Sequence, residues 1–280
     1  MLWMMAAGFG FVVMDTAGKY LTADYSTIQI AWARYLFHML TALPLLLLWR
    51  GSAVFRTRRL GLQLLRSVFL LGATAFYFLA LRYIPLATAA AIGFVAPLIL
   101  TALSALMLKE QVGPRRWTAV AVGFLAVLLI IRPGFGMVHW AMTLPLLVAA
   151  CFALYQITTR LLGPIDEWPV TLFYSGIVGL VAMSAAVPYD WRTPDLRGWA
   201  IMAFLGFAGA VSHLFMIRAF TLAPASVLAP LSYLQLAWAA ALGYLVFGDL
   251  PDGWTMTGAV VIVASGLYVW YRERLRARAA

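Results

Sequence analysis

Apolar residues run through this chain in stretches of about twenty, separated by prolines, glycines and charges. Such a stretch matches the ~30 Å hydrocarbon core of a bilayer at ~1.5 Å per helical residue. Ten are recognised, over residues 2–21, 28–49, 62–81, 86–108 and 115–132, then 138–161, 168–188, 197–218, 225–247 and 253–271. Pro85, Pro114, Pro169 and Pro224 stand near segment starts, where a first helical turn leaves its N–H groups unbonded in any case. The connections are short, so the pattern predicts antiparallel neighbours and no inserted soluble domain. The fold class expected is an all-α integral membrane protein.

The pattern also repeats. A shift of 139 residues lays Ala80–Pro85 on Ala219–Pro224, Phe94 on Tyr233 and Glu110 on Asp249. A two-residue change of register then brings Trp117-Thr118 onto Trp254-Thr255. A shift of 141 aligns Phe11 with Phe152, Asp15 with Gln156, Lys19 with Arg160 and Leu21 with Leu162. Five is an odd number of crossings, so the second copy enters from the opposite side. This predicts two inverted five-helix repeats, residues 1–134 and 135–280, an architecture that recurs among transporters with the substrate held between the halves.

Composition agrees. The 280 residues are 64% apolar and 11% charged, against about half and a quarter in soluble domains. The charge is +10, but the basic residues fall in short loops and at helix ends, so topology explains them better than nucleic acid does. With the N-terminus cytoplasmic, fourteen of the twenty lie inside, Arg66 among them, five outside, and Arg34 within a span. Both termini are therefore expected in the cytoplasm, in a bacterial-type inner membrane. Met1 to Met14 is apolar from the first residue and reads as a membrane helix rather than a cleavable signal. The single cysteine, Cys151, excludes an intrachain disulfide framework.

These segments resemble the EamA-type members of the drug/metabolite transporter superfamily. The resemblance is carried by Asp15-x-x-x-Lys19, Arg34-Tyr-Leu-Phe, Leu81-Arg-Tyr-Ile-Pro85, Phe94-x-x-Pro97, Leu108-Lys-Glu110, Gly123 and Arg132-Pro-Gly134. Ala223-Pro224 and Phe247-Gly-Asp249 are the weaker counterparts in the second half. It implies a carrier of small organic solutes. Within the superfamily, exporters of amino acids of the YddG type are the preferred match. Cationic drugs, nucleobases and cofactors are alternative cargoes of the same fold.

Charges at bilayer depth cost at least ~2.5 kcal/mol each, which selects the candidates. Asp15 and Lys19 share a helix face; they either pair with each other or present both charges to a zwitterion, and Lys19 also has the option of snorkelling outward. Arg34 and His38 have the same spacing and, with His213, are candidates for structural or proton-coupling roles. Gln156 stands where the repeat places Asp15. Tyr77, Phe94, Tyr155, Tyr233, Gln235 and Trp238 complete the expected substrate cage, and Pro97 and Pro230 lie inside spans as gate hinges. Ala119 and Gly123 form a close-packing pair, either within the chain or in a homodimer through helices five and ten. The sequence holds no metalloprotease, nucleophile-elbow or phosphate-loop motif. A membrane-embedded enzyme is thus disfavoured, and no cofactor, metal or catalytic residue is expected. The partners expected are a small-molecule substrate and the lipid bilayer.

Overall fold

The computed structural model describes residues 1–108, 113–132, 139–222 and 225–279. Lys109, Glu110, Gly134, Ala223 and Pro224, and with them the junction at 134, lie outside the described residues. The ten segments appear as twelve helices. In the first half these are α1 (Leu2–Leu21), α2 (Thr27–Arg50), α3 (Leu60–Leu81), α4 (Leu86–Gly93), α5 (Ala96–Met107) and α6 (Pro114–Ile131). The second half holds α7 (Leu144–Leu162), α8 (Trp168–Ala186), α9 (Leu196–Leu222), α10 (Ala225–Ser232), α11 (Leu234–Phe247) and α12 (Gly253–Ala279). Nine spans among the described residues are long and apolar enough to cross a membrane. The tenth, α1, has the length but carries Asp15 and Lys19, which lower its mean hydropathy.

Two of the ten segments are broken, and their breaks correspond. Pro97 has no N–H, and its ring clashes with the carbonyl four residues back, which belongs to Gly93, the last residue of α4. The chain passes the break through tightened turns, Val95 N–H donating to Ile92 O at 3.1 Å and Leu98 N–H to Val95 O at 2.9 Å. In the second half Pro230 lies inside α10. Tyr233 N–H donates to Pro230 O at 3.3 Å and Leu236 N–H to Tyr233 O at 3.1 Å. Phe94 and Tyr233, superposed by the 139-residue shift, thus sit at equivalent breaks.

Helix packing follows the same correspondence. α1 packs on α9 and its counterpart α7 on α3; α2 packs on α9 and α8 on α3; α1 meets α11 and α7 meets α5. Two pairs are their own counterparts, α2 with α8 and α6 with α12. These contacts are reciprocal between the first six helices and the second six. Lipid chains supply no hydrophobic drive between helices, so close approach depends on small residues. A Cβ at Gly206 of α9 would overlap Phe37 and the His38 backbone of α2, and one at Gly179 of α8 would overlap Tyr35. Gly123 of α6 lies against Leu98 and Ser265, and Ala119 is buried, so this small-residue face is used within the chain.

The bundle has two ends. The end with the N-terminus, here the terminal face, also holds the α2–α3 and α7–α8 connections. The far face holds the α1–α2, α3–α4, α8–α9 and α11–α12 connections. Polar contacts join the halves at both. On the far face Gln29 Nε2 donates to Arg192 O at 2.7 Å while Arg192 N–H donates to Gln29 Oε1 at 3.1 Å. On the terminal face Asp166 accepts from Gln63 Nε2 at 2.9 Å, from Arg58 N–H at 3.1 Å and from the Thr57 hydroxyl.

Candidate functional site

Asp15 lies three turns and more into α1 and remains partly accessible. The Tyr77 hydroxyl of α3 faces its carboxylate, and Arg34 of α2 supplies the positive charge that acts on it. Arg34 also donates to the Thr74 hydroxyl, and the Tyr35 hydroxyl donates to the same oxygen at 3.0 Å. Thr74 passes its own proton to Leu70 O at 2.9 Å. One carboxylate and one guanidinium from the first half therefore stand inside the bundle, toward its far face, each with a hydroxyl beside it.

His38 and His213 meet edge to face on the side of α2 that packs against α9, with ring centroids 5.4 Å apart. His213 Nδ1 lies 2.8 Å from Gly209 O, and Phe11 of α1 closes over the His213 ring at 4.9 Å. The two histidines, far apart in sequence, form one pair.

Lys19 does not pair with Asp15. Its Nζ lies 2.8 Å from Asp249 Oδ2 and 3.2 Å from Ile84 O, and stands 4.9 Å from the Phe247 ring centroid. The reason is geometric: Lys19 is in the last turn of α1, and its long stem reaches the far face, where the end of α11 brings a carboxylate from the other half. Lys19 thus ties the two halves together at the far face.

The aromatic candidates separate into groups. Phe94 and Tyr233 pack at 5.5 Å with an interplanar angle of 39°, and the Tyr233 hydroxyl is seated at Gly266 of α12. Gln235 and Trp238 lie on α1 at Gly8, Trp238 meeting Phe9 edge to face at 5.7 Å. Tyr155 belongs to a different cluster, toward the terminal face. Gln156, its neighbour, is partly accessible and makes none of these contacts.

That cluster is built on Arg66, a residue that sequence reasoning assigned to the basic helix ends. The structure corrects this: Arg66 is 4% exposed. Its Nε donates to Thr159 Oγ1 at 2.7 Å, Nη1 to Thr171 O at 3.1 Å and to the Ser175 hydroxyl, and Nη2 to the Tyr155 hydroxyl at 2.5 Å. The guanidinium also lies 4.2 Å from the Tyr155 ring centroid. One first-half arginine thereby holds α7 and α8 of the second half. The sequence offered a partial signal, since Arg66 lies four residues inside the segment 62–81, but so near its end that the position alone does not show which way the guanidinium turns.

Outside the spans, Asp166 shows the electrostatics of the terminal face. Burial raises its pKa, but the bonds from Thr57, Gln63 and Arg58 N–H outweigh that and hold it below the usual carboxylate range. Among the described residues no group of three His, Cys, Asp or Glu side chains has the arrangement to hold a metal ion.

The sequence profile of the EamA-like transporter family matches residues 1–132 and again 139–271. The chain is 29% identical over 272 residues to an S-adenosylmethionine uptake transporter of Rickettsia bellii, covering 97% of this chain and 93% of that protein. It is 27% identical to a riboflavin transporter of Vibrio cholerae, covering 99% and 94%. To a pseudopaline exporter of Pseudomonas aeruginosa it is also 27% identical, covering 94% and 93%. A solved crystal structure superposes with a TM-score of 0.64 at 17% identity over 94% of each chain, which is a likeness of fold.

Proposed function

The chain belongs to the EamA-like transporter family, and from that premise we propose that it carries an amphipathic solute with an amino-acid group and a flat ring. S-adenosylmethionine is the first candidate and a free aromatic amino acid the second. That it is a multi-pass membrane transporter and not an enzyme follows from the family itself. The solute class rests mainly on one observation, the Asp15 carboxylate facing Tyr77 and within the field of the Arg34 charge. A solute with an ammonium and a carboxylate finds a partner for each there. Tyr77, the Phe94–Tyr233 pair, and Gln235 with Trp238 on α1, three separate groups, each supply apolar surface with a polar edge, the usual make-up of a small-molecule site.

The expectation of free amino-acid export is here widened to solutes that contain an amino-acid group. The relative that takes up S-adenosylmethionine supports this over nearly the full length. In this reading both termini are cytoplasmic, the terminal face is the inner one, and the two halves rock about Asp15 and Arg34. The repeats divide at about residue 134, and Pro97 and Pro230 mark the hinges. Reporter fusions after Arg58 should read cytoplasmic and one at Asp190 external.

Purified protein in liposomes loaded with unlabelled S-adenosylmethionine should accumulate the labelled compound by counterflow. Aromatic amino acids should compete for it. Counterflow of riboflavin alone, with neither amino-acid compound exchanged, would overturn the solute class.

A further inference from the structure

Among the described residues inside the bundle, Lys19 has Asp249, Arg34 acts on Asp15 through its charge, and Arg66 is held by neutral oxygens. These are four: two threonine or serine hydroxyls, a tyrosine hydroxyl and a backbone carbonyl. Among the described residues, no carboxylate lies within ion-pair distance of it. Neutral oxygens satisfy N–H donors but leave the charge, and a guanidinium at depth in a membrane protein pairs with an anion or marks a solute path.

A second observation lies one turn away. Gln63 is fully buried, and its Nε2 is committed to Asp166 at 2.9 Å and Thr171 at 3.4 Å. That orientation leaves Oε1 buried with no donor among the described residues. A buried acceptor left unmade costs about 1–3 kcal/mol. Gln63 and Arg66 are three residues apart on α3 and so share a face.

We infer that Arg66 and Gln63 form a second subsite for the amino-acid head group, near the terminal face: the carboxylate on the Arg66 guanidinium and the ammonium donating to Gln63 Oε1. This rests on the solute class proposed above. The carboxylate takes the edge of the guanidinium now held by the Tyr155 hydroxyl. Tyr155 stays beside it, its ring already against the guanidinium. In the present structure α3 is drawn onto α7 and α8 by these neutral bonds. A ligand that replaces them separates the halves at this end, as entry or release at the terminal face requires.

The test is a thermal-shift titration of the full-length protein in detergent with two pairs of probes. One pair is S-adenosylmethionine and its carboxyl methyl ester; the other is L-tryptophan and its methyl ester. Each pair keeps the ammonium and ring and differs in the carboxylate. The wild type should bind the acid roughly tenfold or more tightly than the ester. Arg66→Lys should narrow that preference to about threefold, and Arg66→Gln to within about twofold, since the bidentate fork and then the charge are lost. Gln63→Leu should weaken acid and ester by the same factor. A folded Arg66→Gln protein that keeps the full preference overturns the subsite and leaves Arg34 as the carboxylate partner. If Arg66→Gln does not fold, a wild type that treats acid and ester alike overturns it without any variant. Stabilisation by riboflavin but by neither pair would instead overturn the solute class on which the subsite rests.

Discussion

Phe94 and Tyr233 pack ring on ring at 5.5 Å, and each is the residue at which its own transmembrane segment breaks. One comes from the first half and one from the second, and the 139-residue shift superposes them. The two rings therefore meet where the two broken segments approach each other.

That placement gives a test of the hinges. Replacing Pro97 or Pro230 by Ala restores a backbone N–H and removes the ring clash, so both segments should become more nearly continuous. Counterflow by Pro97→Ala and Pro230→Ala proteins should fall roughly threefold or more, with binding of unlabelled solute little changed. Unaltered rates in both variants would remove the prolines from the mechanism.

Asp15 is the anion of the central site, and its charge is the property to remove. Asp15→Asn keeps shape and hydrogen bonding but leaves Arg34 without its counter-charge. Transport should drop by roughly tenfold or more, equivalent to about 1.4 kcal/mol, while the purified protein stays folded. Asp15→Glu should recover part of the loss. An Asp15→Asn protein with wild-type flux would move the solute elsewhere.

The Lys19–Asp249 pair closes the far face across the two halves. Lys19→Met or Asp249→Asn should lower stability by about 0.5–1 kcal/mol, as the pair is partly exposed. Both should raise labelling of a cysteine placed near Ile84 from the far side. Joining Lys19→Asp with Asp249→Lys should restore both readouts toward wild type; equal labelling in all of these proteins would show that the pair does not control the opening.

Asp166 predicts a pH dependence of stability. Its pKa is held low in the folded protein because the bonds from Thr57, Gln63 and Arg58 N–H outweigh burial. A group depressed in this way adds stability above its unfolded value of about 3.9. That contribution disappears as pH falls through the lower folded value. Thermal stability of the wild type should therefore fall below about pH 4, and Asp166→Asn should show a shallower acid limb. Parallel profiles for the two proteins would assign the acid limb to other groups.

The number of spans, their approximate ends, the repeat and its register are in the sequence itself. Each depends on local composition and period: a membrane helix needs about twenty apolar residues wherever it packs, and a proline removes a backbone N–H whatever surrounds it. The cost of charge at depth likewise singled out Asp15, Lys19 and Arg34 without any knowledge of their neighbours. Partners are another matter. Lys19 and Asp249 are 230 residues apart, and His38 and His213 lie on helices with no sequential relation, so only the packing of α1 on α11 and of α2 on α9 brings them together. Arg66 shows the limit most clearly. At the end of a hydrophobic segment, linear sequence does not distinguish a guanidinium that reaches water from one that turns inward. Thr159, Thr171, Ser175 and Tyr155 decide which it is, and they surround it only because the tertiary fold sets α7 and α8 against α3.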